Sequence, residues 1–212
     1  MLKTIREILI KHIKNNIKTY FFLFLSFVFG ISCGAFTVNG LSVLQNSELT
    51  DYLQGFLQLM DNQKINSSEI FNAALRDNAK IILALWVLGV TIIGVPLIYL
   101  IIAVRGFITG FSSGFIIKAL GYKGTALVAF GILPKEIIIV PCLVALGVSG
   151  INFSRDILKS KSTKQFSRNS LKANLAAYCL VTLIFAAIIF TGILVEAYIT
   201  PVTIRMVSQI IS

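Results

Sequence analysis

Leu133, Pro134, Lys135, Glu136, three isoleucines, Val140 and Pro141 stand together inside a long apolar run, and theirs are the types and spacing that invite chemistry. A lone charge at the centre of a bilayer costs about 2.5–3.5 kcal/mol, and residues adjacent in sequence do not face one another on a helix. Lys135 and Glu136 therefore cannot simply neutralise each other, and each proline removes a backbone donor. The pattern predicts a broken or re-entrant helix, buried in protein or lining a wet cavity where both charges find partners. A structural break and a partner-binding or transport site are equally open, since ionisable residues within a membrane are functional candidates by default. Other reactive patterns are lacking. There is one histidine, His12, there are three scattered cysteines, and neither paired carboxylates within one segment nor a glycine-rich phosphate loop occurs. No catalytic, cofactor-binding or metal-ligating set emerges, so an enzyme acting through this chain alone is not expected.

The elements that must position these charges are membrane helices. Of 212 residues, 56% are hydrophobic and 13% charged, against roughly 45–50% and about 25% in ordinary soluble domains. A soluble globular protein is excluded. The net charge of +10 has its explanation in membrane topology, and no nucleic-acid partner is expected. Cys33, Cys142 and Cys179 lie in apolar stretches, where a thiol packs as a small hydrophobe, and they imply no disulfide framework.

The expected fold is all-α, a polytopic membrane helical bundle forming a single integral domain over residues 1–212, with spans near 20–38, 79–103, 106–122, 124–150 and 173–198. The first, beginning at Tyr20, reads as a retained signal anchor. Gly94 and Pro96 are expected to kink the second. Basic residues set the orientation. Residues 1–19 carry Lys3, Arg6, Lys11, Lys14 and Lys18 against Glu7, and the loop 152–172 carries Arg155, Lys159, Lys161, Lys164, Arg168 and Lys172 against Asp156. Arg105 is read as the tight connection between the second and third spans. The N-terminus is thus expected in the cytoplasm and the loop 39–78 outside.

Residues 2–18 read as a basic amphipathic helix on the inner leaflet, with docking to a cytoplasmic partner as the alternative. In the external loop, Leu49, Tyr52, Leu53, Phe56, Leu57 and Met60 form a helical stripe. It suits a helix lying on the leaflet or covering the bundle, or else a platform for extracytoplasmic partners. A second helix is expected to start at Asn66 and run into the next span. Gly106, Gly110 and Gly114 recur every four residues, and Gly30 with Gly34 repeats the pattern. Small faces of this kind let two helix backbones approach closely, within the chain by default or between two copies in a homodimer.

The chain also resembles the stage II sporulation protein M family over nearly all its length. The resemblance runs from the basic leader and Phe-rich first span (Tyr20, Phe21, Phe22, Phe24, Phe27, Phe29, Gly30) through Gly131, Ile132, Leu133, Pro134 and Pro141 to Asn152, Phe153 and Ser154. Wider relatives resemble this with His and Gly after the first proline and an acid before the second. Lys135, Glu136 and Val140 stand there instead, so roles tied to that histidine and acid do not transfer. The resemblance implies a non-enzymatic scaffold of the sporulation engulfment machinery, which recruits membrane-anchored peptidoglycan hydrolases of lytic transglycosylase and amidase/endopeptidase types. It implies a location in the bacterial cell membrane, at the mother-cell septal and engulfing membrane. The alternative, motivated by the expected broken span, the kink and the cytoplasmic amphipathic helix, is a permease-like transport subunit coupled to an ATPase.

Overall fold

The structure, a computed structural model, describes residue 14 and residues 16–62, 67–91, 93–162 and 168–204. The expected N-terminal amphipathic helix lies almost wholly outside the described residues. Helix α1 spans Ile17–Thr37 and closes in a short 3-10 turn, Val38–Gly40. Helix α2 follows at Val43–Asn62, α3 at Ser67–Val90 and α4 at Gly94–Leu120. Helix α5, Tyr122–Leu127, runs through a π-helical turn, Val128–Ile132, directly into α6, Leu133–Ser162. Helix α7, Arg168–Leu194, likewise passes into a π-helical turn at Val195–Ile199. Among the described residues there is no strand.

Four helical stretches are long and apolar enough to cross a membrane: Ile17–Gly40, Gly94–Leu120, Tyr122–Leu158 and Asn174–Ile204. Helix α3 is not among them, although it runs alongside α6 and α7, because Arg76, Asp77 and Lys80 lie in its middle. This corrects the expected spans 79–103 and 106–122. The chain reverses between the end of α3 at Val90 and the start of α4 at Gly94 rather than at Arg105, which lies well inside α4. The reason is local. Pro96 sits in the first turn of α4, where its missing N–H leaves no bond unmade, so it starts a helix instead of kinking one. Gly94 passes so close to the Leu88 carbonyl that a Cβ would collide with it. The Thr91 hydroxyl donates to the same carbonyl at 2.9 Å.

Residues 124–150 are corrected too, for the helix is not broken at Pro134, Lys135, Glu136 and Pro141. It continues through all four, with Pro141 inside α6. A proline at 134 cannot donate to the Phe130 carbonyl one turn back. The π turn just upstream widens the ladder there, and the Thr203 hydroxyl donates to the Phe130 oxygen at 3.1 Å. This hydroxyl, which also lies within reach of the Ile199 and Thr200 carbonyls, offers the Phe130 oxygen a donor from another helix.

Helices α1 and α4 run parallel with their glycines meshed. A Cβ at Gly30 would strike the Ala103 carbonyl, at Gly34 that of Phe107, at Gly106 that of Phe27 and at Gly110 that of Ile31. Gly114 rests on Ala35. Each stripe is occupied by the other, so neither face is left open to a second copy. Lys118 Nζ donates to the Val38 carbonyl at 2.8 Å and closes the end of this pair. Helix α6 is the centre of the bundle: Leu143, Val148 and Ile151 are fully buried, and they join Leu23, Leu85, Ile98, Ile102 and Ile189 in one core. At the end of the bundle where α1 begins, Tyr178 stacks on Phe153 at 5.0 Å and donates to the Leu85 carbonyl at 3.2 Å.

Replacing Gly106 by Leu should drive α1 from α4 and lower stability by about 3 kcal/mol or more, whereas Gly40→Ala, with nothing within 4 Å of the added carbon, should melt like the parent. Thermal melting of the detergent-purified variants measures both.

Candidate functional site

Lys135 and Glu136 point from α6 toward two different helices. Glu136 Oε1 accepts from Arg105 Nη2 of α4 at 2.9 Å, and Lys135 pairs with Glu196 in the π turn after α7. Successive residues on a helix lie about 100° apart, so a Lys-Glu dipeptide reaches two neighbours that a single charge could not. The side chains are 15% and 10% exposed in the first pair and 20% and 19% in the second. Arg105 stands about 17 Å along the α4 axis from Gly94, near the middle of a hydrocarbon core about 30 Å thick. At that depth two cations and two anions persist because each meets an opposite charge on another helix.

Three of these groups line a cavity of about 480 Å³ enclosed by α3, α4, α6 and α7: Arg105, Lys135 and Glu196. Asp77 and Asn78 of α3 and Thr200 complete its polar wall. Leu53 of α2 and Ile70 near the start of α3 also belong to its lining. The two π turns meet beside it, with the Thr200 hydroxyl donating to the Gly131 carbonyl at 3.3 Å. Widened turns of this kind recur at functional sites. Asn78 is 2% exposed and donates to the Ala74 carbonyl at 2.9 Å, yet its Oδ1 has no hydrogen-bond partner. Arg105 Nε and Glu136 Oε2 are also unpartnered. They are complementary, since a small rotation of the carboxylate would turn the single-armed pair into a two-bond fork. All three buried side-chain atoms without partners, among the described residues, thus belong to this cavity or to the pair behind it.

The flank of the cavity on α3 is charged on its outside as well. Asp77 and Lys80 pair at 3.6 Å with side chains 68% and 69% exposed, and Arg76 is exposed beside them. Asn78 lies about 20 Å along the axis from Thr91, which places this charged surface in the half of the bundle away from the start of α1. Each such charge facing acyl chains would cost about 2.5–3.5 kcal/mol. A flank so charged suits a polar surface better than acyl chains.

Of the external stripe, Tyr52 is 76% exposed while Leu49 and Leu53 are half-buried. The side chains of Phe56, Leu57 and Met60 lie outside the described residues, although their backbone belongs to α2. Val43 and Leu44, at 89% and 68% exposure, extend the apolar surface to the start of the helix. They precede the spacing that marked the stripe, which is why periodicity passed over them. Arg105 escapes sequence reasoning because it reads as a connection between spans, and Glu196 because it stands near the end of the last apolar run. The usable signal is the pair of anions in the expected spans, Glu136 and Glu196, each of which needs a cation on another helix. Among the described residues no group of three or more His, Cys, Asp or Glu could hold a metal ion.

Apolar helices, glycine-meshed packing and charges paired across the bundle define a polytopic α-helical membrane protein. Residues 8–201 match the family model described as Stage II sporulation protein M, and the chain belongs to that family. It is a sporulation-related membrane protein. Comparison with the curated proteins and with the solved structures finds no match.

Glu136→Gln leaves the Arg105 charge buried without a counter-charge and should destabilise the bundle by about 3–5 kcal/mol. The double variant Arg105→Leu with Glu136→Leu should recover most of that loss. A melting temperature for the double variant as low as for the single would show that the pair does not act as a unit.

Proposed function

We propose that this protein is a non-enzymatic scaffold that holds membrane-anchored peptidoglycan hydrolases at the septal and engulfing membrane of a sporulating cell. The observation that carries the reading is the exposed apolar surface of α2. Val43, Leu44 and Tyr52 stand out from a helix that touches the rest of the bundle only sparsely, at the end opposite the start of α1. Large apolar side chains displayed outside the membrane suit recognition by a partner's amphipathic or extended segment. The orientation that suits this role has the basic N-terminal residues and the basic 152–172 stretch in the cytoplasm. Helix α2 then faces the wall, where lytic transglycosylases and amidases or endopeptidases act. Family membership supports the sporulation setting.

The charged cavity favours a second reading, a permease-like subunit driven by a cytoplasmic ATPase. The two differ in what accompanies the protein. Copurification from sporulating cells should recover wall hydrolases, and recovery of an ATPase alone would favour the permease. Leu44→Glu combined with Tyr52→Glu should abolish hydrolase recovery without reducing the amount of protein in the membrane fraction; undiminished recovery removes the platform. In a cysteine-free background, Gln45→Cys should react with an impermeant thiol reagent in intact cells, and reaction only after lysis would invert the orientation.

A further inference from the structure

The cavity between α3, α4, α6 and α7 has three properties that together specify a ligand. The charges on its wall and those paired with them balance: Arg105, Lys135 and Lys80 stand against Glu136, Glu196 and Asp77. A ligand of net charge would upset pairs that the surrounding lipid obliges the bundle to keep, whereas a neutral dipolar ligand exchanges partners without changing the total. Its polar capacity is not fully used: Asn78 and Arg105 line it, and just behind its surface Asn78 Oδ1 and Arg105 Nε have no partner. Buried groups left in this state call for an explanation, and a turn of the Asn78 side chain toward a ligand in the cavity would satisfy one of them. The remainder of the wall is apolar, formed by residues such as Ile116, Leu127 and Ile204. About 480 Å³ falls within the size range of small-molecule sites, and a mostly apolar lining with a few convergent polar groups is their usual make-up.

We propose that this cavity binds a neutral dipolar ligand, an ammonium and an anionic oxygen group joined by a short skeleton. The oxyanion lies between the Arg105 guanidinium and the Lys135 ammonium. The ammonium turns toward Glu196 and Asp77, where Asn78 Oδ1 offers a further acceptor once its side chain turns toward the ligand. Arg is suited to the anionic end because its planar fork presents several donors at once. The charged outer surface of α3, with Asp77 and Lys80 exposed, gives the ligand a polar route to the site. The same chemistry is carried by a zwitterionic lipid head and by a soluble zwitterion, and the apolar wall suits the chain of the first or the skeleton of the second.

The test uses the full-length protein in non-ionic detergent, melted with increasing phosphatidylethanolamine, phosphatidylglycerol or glycerophosphoethanolamine. The expected result is a saturable rise in melting temperature with a dipolar probe and none with phosphatidylglycerol. A response to phosphatidylethanolamine alone identifies the lipid source, and a response to glycerophosphoethanolamine identifies the soluble one. Glu196→Gln should raise the concentration for half-saturation about tenfold, as loss of one charge-assisted contact implies. Should that variant fail to fold, Asp77→Asn, on an exposed side chain, should weaken the same response. No response to either dipolar probe, an equal response to phosphatidylglycerol, or a response that Asp77→Asn leaves unchanged would each overturn the proposal.

Discussion

Charge inside a lipid-embedded bundle must be answered by charge on a neighbouring helix, and the arrangement of α3, α4, α6 and α7 follows from that requirement. Lys135 and Glu136 are consecutive on α6, so their partners lie on opposite flanks: Arg105 on α4 and Glu196 beyond α7. These two bonds join the central helix to both neighbours and set its rotation about its own axis. Apolar packing alone specifies rotation weakly in a membrane, because lipid chains are as apolar as leucine and any face can meet them. Two ion pairs facing different directions leave one orientation in which neither charge meets hydrocarbon.

The backbone obeys the same rule. In hydrocarbon a carbonyl without a donor finds no water to replace it, so a proline in a membrane helix needs help from outside its own helix. Pro134 receives it through a widened turn and the Thr203 hydroxyl, and Thr200 serves the adjacent Gly131 carbonyl. The π turns at Val128–Ile132 and Val195–Ile199 are therefore coupled. One accommodates the proline; the other carries Glu196 beside Lys135 and sets the threonines that follow it opposite the first turn. The charged cavity lies where these two departures from ideal helix meet.

The first span was legible because Tyr20 to Val38 contains no charge, and the glycine spacing of α1 and α4 was legible because close approach needs small residues at one-turn intervals. The boundary between α3 and α4 was not. Hydropathy is summed over a window, so the polar first half of α3 read as loop and the continuous apolar stretch that follows read as one span ending at the next charge, Arg105. The correct signal was the Gly94 and Pro96 pair, taken as the start of a helix rather than a kink within one. The site was half legible. Lys135 and Glu136 stood out as charges in an apolar run, but their partners lie 31 and 61 residues away in sequence. Spacing along one helix cannot name a partner on another, and the inference of a broken helix arose from looking for both partners nearby.

The tightest interface in the bundle joins α1 to α4, two helices with α2 and α3 between them in the chain. During synthesis α1 emerges before α4, and the backbone it is shaped to meet is not made until α2 and α3 have followed. Over that interval Gly30 and Gly34 present a notch with no counterpart, open to whatever membrane segment is at hand, so the order of translation gives a chaperone or insertase its longest opportunity to act on the first helix.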